Sequence, residues 1–448
     1  MITVRLLHSK LMSRFGRHML WVLPGLSFKR WIGGGVLGTL LLLLGSSLLL
    51  NLQPVTAFIR CIEYLGKLIP NPLSGMICFV LGLGMFIPSY RKLRHLFFEG
   101  TQTEGKAFIE ALYRHKTLSQ GPKIVAIGGG TGLSTLLRGL KHYTTNLTAV
   151  VTVGDDGGSS GVLRVEHGII PPGDIRNCIA ALADEEQLIT ELFQYRFNMG
   201  DGLSGHSFGN LFLTALCHIK QGDMLQAIRE SCKVLNVRGK VLPATLEQLK
   251  LVATFTDGSQ VVGESQIPEA KKTIQTLSLS PEAPKGLEEA VNAIREADLI
   301  ILGPGSLFTS VLPNLLIPDM AQAFLQSSAK KVYACNIVTQ PGETDGLDAW
   351  GHVDVLYRHL ASHPLAVERH GWLDAVVAHP PLDLETLPDK YHKAGAVPVT
   401  LDTKAFQHYG ITCYISPLMP DTPGVMTHVR HDSQKLAAAI LTWYEHYR

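Results

Sequence analysis

Two adjacent carboxylates, Asp155 and Asp156, stand at the end of an apolar run and open a Gly/Ser loop, TVGDDGGSSG, that also carries Ser159. Neighbouring carboxylates at such a place can grip a divalent cation, accept from ribose hydroxyls or move a proton. The plainer alternative is a polar turn. Upstream, KIVAIGGGTGLSTLLRGL (123–140) passes from a charged residue through four apolar positions into clustered glycines and then a helical pattern. Glycine lets backbone approach a ligand closely, and a helix N-terminus offers unpaired N–H groups with partial positive charge. Gly129, Gly130, Thr131 and Gly132 are therefore a candidate phosphate cradle.

The kind of phosphate is less settled. Gly128, Gly130 and Gly132 give G-x-G-x-G, not the G-x-G-x-x-G of dinucleotide enzymes. No lysine followed by Ser or Thr closes the turn, which excludes a P-loop. A nicotinamide enzyme is only weakly supported.

Four further polar clusters precede or follow apolar runs. In PPGDIRNC, Pro171 and Pro172 stiffen the entry, Asp174 suits the N-cap of a helix starting near Ile175, and Arg176 and Asn177 fall in its first turn. In GHSFGNLFL, His206, Ser207 and Asn210 sit at a helix start; no acid is placed to make a hydrolase pair, and G-x-S-x-G is absent. Gly303, Pro304, Gly305 and Ser306 form a second glycine turn, and the next apolar run ends in Asn336, Thr339, Glu343, Thr344 and Asp345. The runs before the first glycines, before Asp155, before Gly303 and before Asn336 thus end in Gly, Asp, Ser, Thr or Asn loops, and four such strand ends on one rim describe a large site for a phosphorylated, multi-part ligand such as a nucleotide sugar.

The elements that must hold these loops alternate. Strands are expected at 123–127, 148–154, 298–302, 331–335, 374–378 and 412–415, with helices at 133–141, 186–196, 208–220, 285–296, 313–327 and 432–447. That alternation is the signature of an α/β protein with a parallel sheet, whose ligands bind beyond the carboxyl ends of the strands. No internal repeat is visible.

The chain has 448 residues, 46 % of them apolar, and a formal charge of +2, which argues against a nucleic-acid partner. Its seven cysteines (61, 78, 178, 217, 232, 335 and 413) are scattered without C-x-x-C, as in reduced intracellular proteins. The N-terminal part differs from the rest. No charged residue occurs over 32–59, and a second uncharged run, 68–90, is interrupted by Pro70 and Pro72. These runs predict a membrane anchor over 1–100 with helical spans at about 32–52 and 70–90, a linker over 101–121 and a domain over 122–448. Basic residues on both flanks (Arg5, Lys10, Arg14, Arg17, Lys29 and Arg30, then Arg91, Lys92 and Arg94) place that domain on the cytoplasmic side of the plasma membrane.

The motifs IGGGTGLSTLLRGLK, TVGDDGGSSGVLR, PPGDIRNC, GHSFGNLFL, GPGSLFTSVLPNLL and NIVTQPGET, in that order, resemble those of the gluconeogenesis-factor (YvcK-like) family, a branch of the CofD-like, 2-phospho-L-lactate transferase superfamily. The match runs over 123–356, with a looser tail to 429. The resemblance implies a Rossmann-like, doubly wound, mostly parallel sheet. It implies a factor that binds UDP-sugars and supports gluconeogenic growth and cell shape, or alternatively a transferase moving a phospho-acyl group from a nucleotide diphosphate donor. The ligand-binding set is then Gly129, Gly130, Thr131, Gly132, Asp155, Asp156, Ser159, Asp174, Arg176, Asn177, His206, Asn210, Gly303, Gly305, Ser306, Asn336 and Thr339. Asp155 and Asp156 are candidates for holding Mg²⁺; no other cofactor is implied, and a homo-oligomer is left open. Two departures stand out: the apolar N-terminal runs lie outside the family core, and Gly351 stands where an acid is expected before His352.

Overall fold

In the computed structural model the apolar run ahead of the first glycines forms β1 (Ile124–Gly128), buried along its whole length. That is the pattern of a central parallel strand covered on both faces. The structure describes residues 37–38, 41–42, 53–68, 73, 76–77, 79–81, 83–85, 87–88, and 118–447 apart from 185, 200–201, 362, 364–370 and 422–427. The chain divides into two units, Met1–Leu112 and Tyr113–Arg448.

In the first unit the expectation of a membrane-spanning hairpin is corrected. Among the described residues no helix is long and apolar enough to cross a membrane. The helix Gln53–Leu68 has 16 residues and carries Arg60, Glu63 and Lys67, whereas a span needs about 20 predominantly apolar ones. Most of 32–52, where the first span was expected, lies outside the described residues, as do parts of 70–90.

The second unit is built on one sheet. Besides β1 it contains β2 (Leu147–Val151), β3 (Lys240–Pro243), β7 (Leu299–Leu302), β8 (Lys330–Ala334), β9 (Ala375–Ala378) and β10 (Thr412–Ile415). Their order is β10-β9-β8-β7-β1-β2-β3, and every neighbouring pair is parallel. The chain first winds outward from β1 through β2 to β3, then returns to the other side of β1 with β7 and winds the opposite way. The reversal lies between β1 and β7, where a doubly wound sheet opens a crevice for ligands. Both glycine turns predicted from the sequence follow these two strands.

Between β3 and β7 the chain makes a small antiparallel sheet, β4 (Lys250–Phe255), β5 (Gln260–Val262) and β6 (Ile274–Ser280), in the order β5-β4-β6. The helices that concern the site are α1 (Gly130–Leu140), α2 (Gly158–His167), α3 (Gly173–Leu182), α4 (Glu186–Gln194), α5 (Phe208–Ile219) and, at the C-terminal end, α10 (Ser433–Tyr447). Between α5 and α10 run α6 (Met224–Val234), α7 (Glu288–Arg295), α8 (Pro318–Gln326) and α9 (Ala349–Leu360). Gly351 lies in the first turn of α9, where its N–H donates to the capping Asp348 carboxylate at 2.6 Å, and His352 is fully buried.

Helix α1 is the hub of the packing. Leu133, Leu136, Leu137 and Leu140 are fully buried beneath it, each worth about 1.5–3 kcal/mol of apolar burial. It lies against α3 on one side and α10 on another. Two of its glycines permit backbone-to-backbone contact. A Cβ at Gly132 would fall 2.0 Å from the Pro304 carbonyl oxygen, and one at Gly139 would fall 1.9 Å from that of Ser433. A glycine inside a helix ordinarily costs about 0.5–1 kcal/mol relative to alanine; here it is what lets α10 close on α1.

Gly139→Ala should therefore destabilise the protein, by about 1–3 kcal/mol from overpacking, although it raises helix propensity. Urea or thermal unfolding of the variant beside the parent checks this; equal or greater stability would show that α10 is not packed on α1 as described.

Candidate functional site

The crevice holds two cavities, one on each side of the N-terminus of α1. The first, of about 270 Å³, lies beyond β2 and is lined by Asp155, Ser159, Asp174, Arg176, Arg196 and Asn210 among others. The second, of about 280 Å³, lies beyond β1, β7 and β8, with Thr131, Gly132, Arg138, Gly305, Asn336 and His431 in its wall. Asn177 faces both.

The turn between β1 and α1 is shaped by a carboxylate. Gly129 takes the capping position of α1 in extended conformation without a side-chain cap, and Gly130 opens the helix at φ +60°. A Cβ at Gly129 would fall 2.4 Å from Asp174 Oδ2 and 2.6 Å from Thr152 Cγ2. The Gly130 N–H donates to the Asp174 carboxylate. Asp174 thus takes the place at the α1 terminus that an anion would seek.

This corrects the expectation that Asp174 caps its own helix. Pro172 occupies the cap position of α3, which starts at Gly173, so Asp174 lies in the first turn and reaches across to α1. Proline ahead of the turn sets φ for helix entry without any side-chain cap. Burial pushes the Asp174 carboxyl up to about 7; the Asp155 charge adds to the shift, and the Gly130 N–H and Arg176 oppose it.

Behind Asp174 a buried polar network fixes the cavity wall. Arg176 donates to Ser207 Oγ at 2.5 Å and to Asn177 Oδ1 at 3.0 Å. Ser207 caps α5 by accepting the Asn210 N–H at 3.3 Å. The Asn210 amide donates to Ser159 Oγ at 3.1 Å, and Ser159 shares a 3.0 Å hydrogen bond with His206 Nδ1. Gly209 makes room for the arginine stem, since a Cβ there would meet Arg176 Cδ at 2.6 Å. Two buried atoms are left without a partner, Arg176 Nε and Asn210 Oδ1. Burial and the like charge of Arg196 hold the Arg176 guanidinium below its usual range, while Asp174 and Asp155 offset part of that. Arg196, itself bonded to the Gly205 carbonyl at 2.9 Å, completes a pair of guanidiniums at one cavity.

The adjacent carboxylates divide their roles. Asp155 lines the first cavity and accepts from the Gly157 N–H at 3.0 Å. Asp156 accepts from the Ser265 N–H at 2.9 Å and so ties the loop after β2 to the segment after β5. Among the described residues no three His, Cys, Asp or Glu side chains are grouped to hold a metal ion. Asp155 and Asp174 could still supply the one or two carboxylates that Mg²⁺ commonly takes when ligand phosphates and water complete its shell.

On the β7–β8 side, several predicted residues position backbone. The Asn336 carboxamide makes two bonds with Gly305, accepting its N–H at 3.1 Å and donating to its carbonyl at 2.7 Å. Ser306 caps the turn Leu307–Val311 by accepting from the Thr309 N–H at 3.0 Å and donates to Glu343. Thr339 is buried and bonded to the Val397 backbone. Gly303 packs against the Ile127 carbonyl, where a Cβ would come within 3.2 Å.

Sequence reasoning missed Glu264, Arg138, Arg196, Arg430 and His431. Glu264 is half-buried with its Oε2 closed to solvent and unpartnered, and burial, then Asp174, Asp155, Glu343 and Asp156, push its carboxyl far up. Nothing in its local sequence marks it. Arg430 and His431 were visible in principle: the run RHDS ahead of α10 is the same kind of signal as HS ahead of α5.

Residues 124–419 match the family model described as 2-phospho-L-lactate transferase CofD. The chain is 45 % identical over 445 residues to a Nostoc protein named "Putative gluconeogenesis factor", covering 97 % of this chain and 94 % of that one. It is 47 % identical over 328 residues to the Bacillus subtilis "Gluconeogenesis factor", covering 72 % of this chain and 98 % of its relative. A crystal structure of a Bacillus halodurans protein, 46 % identical, superposes with a TM-score of 0.66 over 72 % of this chain and all of that one.

An acid whose folded pKa exceeds its unfolded value binds its proton more tightly when folded, so it weakens the fold as pH rises between the two values. For Asp174 that window runs from about 4 to about 7. Asp174→Asn, which keeps an acceptor for the Gly130 N–H, should become more stable relative to the parent as pH rises from 4 to 8. The linkage equivalent of the shift to about 7 is up to about 4 kcal/mol. Melting temperatures of both proteins across that range measure it; parallel curves would deny Asp174 its raised pKa.

Proposed function

The chain belongs to the 2-phospho-L-lactate transferase CofD family, and from that premise we propose that it is a gluconeogenesis factor whose ligand is a nucleotide diphosphate, of the UDP-sugar kind. In that reading it acts in gluconeogenic growth and in the control of cell shape, as its resemblance implies. The observation that carries the ligand class is the pair of cavities flanking the N-terminus of α1 and meeting at Asn177. Each is near the lower bound of ligand pockets, about 300 Å³, and together they suit a ligand of two bulky parts joined by a charged bridge. The guanidiniums of Arg176 and Arg196, whose mutual repulsion favours an anion between or beside them, support a diphosphate as that bridge.

A second reading is supported by the family model and by Asp155 and Asp174 beside the arginines. In it the protein transfers a phospho-acyl group from a nucleotide diphosphate donor to an acceptor hydroxyl and releases the nucleoside monophosphate. Arginines would neutralise charge developing on the bridging oxygen, and a carboxylate would take the acceptor proton.

Calorimetry of the full chain against UDP-sugars, UDP, GDP and ADP tests the first reading, with saturable binding of UDP-sugars expected. Arg196→Gln, at an exposed position outside the buried network, should weaken that binding about tenfold with little change in melting temperature. Absence of nucleotide diphosphate binding would overturn the proposal. Nucleoside monophosphate released in step with acceptor modification would decide for the transferase.

A further inference from the structure

Two exposed histidines meet at the far end of the helices that wall the first cavity. His167 is the last residue of α2, and His218 lies in the last turn of α5. His167 Nδ1 and His218 Nε2 stand 3.0 Å apart, with ring centroids 4.9 Å apart and planes inclined at 75°. One nitrogen must hold the shared hydrogen and the other accept it, because two bare lone pairs at that distance repel. Both residues are exposed, so an ion can reach the pair from solvent. The two helices run side by side in the same direction. Near their starts, the Asn210 amide of α5 donates to Ser159 Oγ of α2 at 3.1 Å. The histidines stand eight residues further along each helix, a rise of about 12 Å. The helix pair is thus bonded at both ends, and its buried end lines the first cavity.

We propose that His167 and His218 form a site for a divalent transition-metal ion that favours imidazole nitrogen, such as Zn²⁺, Ni²⁺ or Cu²⁺. An ion bound by two imidazoles at about 2.0–2.1 Å holds their nitrogens about 2.9 Å apart at a right angle and about 3.3 Å apart at the tetrahedral angle. The pair already stands within that interval, at 3.0 Å. On binding, the ion takes the place of the shared hydrogen, which passes through solvent to the outer nitrogen of its own ring, so both inner nitrogens offer lone pairs. Among the described residues no third His, Cys, Asp or Glu joins the group, so water fills the remaining positions. Hard ions such as Mg²⁺ and Ca²⁺ take oxygen ligands and are not accepted here. The site is separate from the crevice carboxylates and independent of the nucleotide reading above. An ion there clamps the C-terminal ends of α2 and α5 and, through the two helices, fixes the spacing of Ser159 and Asn210 in the cavity wall.

Calorimetric titration of the full chain, first stripped with a chelator, with Zn²⁺, Ni²⁺ and Cu²⁺ tests the proposal. Saturable binding of at least one of them is expected. His167→Gln and His218→Gln, both at exposed helix ends where the fold is not at risk, should each weaken that binding by at least about tenfold, since loss of a residue that merely supports a ligand already costs about that much. The chain has 18 histidines and can hold metal elsewhere, so a readout tied to this pair is needed. One equivalent of Cu²⁺, followed by electron paramagnetic resonance, should show two coupled imidazole nitrogens in the parent and fewer in either variant. Zn²⁺ should also raise the melting temperature of the parent more than that of either variant. No saturable binding of any of the three ions would overturn the site. So would affinity and copper spectrum that stay unchanged in both variants, since the metal would then be held by other residues.

Discussion

The crevice depends on one close contact, the approach of the two glycine turns that follow β1 and β7. At Gly132 the α1 backbone lies against the Pro304 carbonyl with no room for a methyl group. Two parallel strands that diverge into oppositely wound halves leave a gap at their carboxyl ends. Here that gap is drawn narrow by backbone packing and held by the Asn336 carboxamide, which pairs with Gly305 much as a neighbouring strand would. Because the contact at Gly132 is itself between main chains, it fixes where the α1 amides point, and Asn336 is the side chain committed to holding it.

Charge is distributed unevenly across the crevice. Burial and the Asp155 charge raise the proton affinity of Asp174, burial and the charges of Asp174, Asp155, Glu343 and Asp156 raise that of Glu264, and Arg164 and Arg176 only partly balance these acids. A site meant simply to hold an anion would not gather so many acids. Part of the excess is absorbed by backbone amides, at Gly130 for Asp174, Ser265 for Asp156 and Gly157 for Asp155. A carboxylate that borrows a helix terminus and is half protonated near neutral pH can give that terminus up at modest cost. Asp174 thus stands at the junction between the closed turn and a phosphate-receptive one.

Much of the fold was legible because parallel strands buried on both faces read as short apolar runs; all six expected strands lie within a few residues of β1, β2, β7, β8, β9 and β10. The misses share physical causes. β3 is only four residues, opens with Lys240 and ends in Pro243, so it looks like a loop. β4 and β6 alternate between buried and exposed residues, a period-two signal diluted by their lysines, serines and threonines. α2 begins in Gly and Ser, residues that suit turns, and becomes a helix only because the loop ahead of it is anchored by Asp156. At the site, the glycine loops and the helix-start clusters were visible as composition. What was not visible was direction: that Asp156 turns away, that Asp174 reaches α1, and that Thr339 and Ser306 are consumed by backbone. The apolar N-terminal runs misled in another way, because absence of charge is necessary for a membrane span but says nothing of whether the helix is long enough.

The seating of α10 on Gly139 has a consequence for how the molecule comes into being on the ribosome. β1 is made early, yet its partner β7 follows only after 170 or so intervening residues, a non-local pairing that slows folding. The helix that covers α1 is synthesised roughly 290 residues after it, and the residues that close the second cavity, Arg430 and His431, immediately precede that helix. A nascent chain that has made both glycine turns therefore still lacks the residues that close the second cavity. Anything that stabilises the fold by filling the second cavity therefore acts on chains that have already made Arg430 and His431, and not on shorter ones.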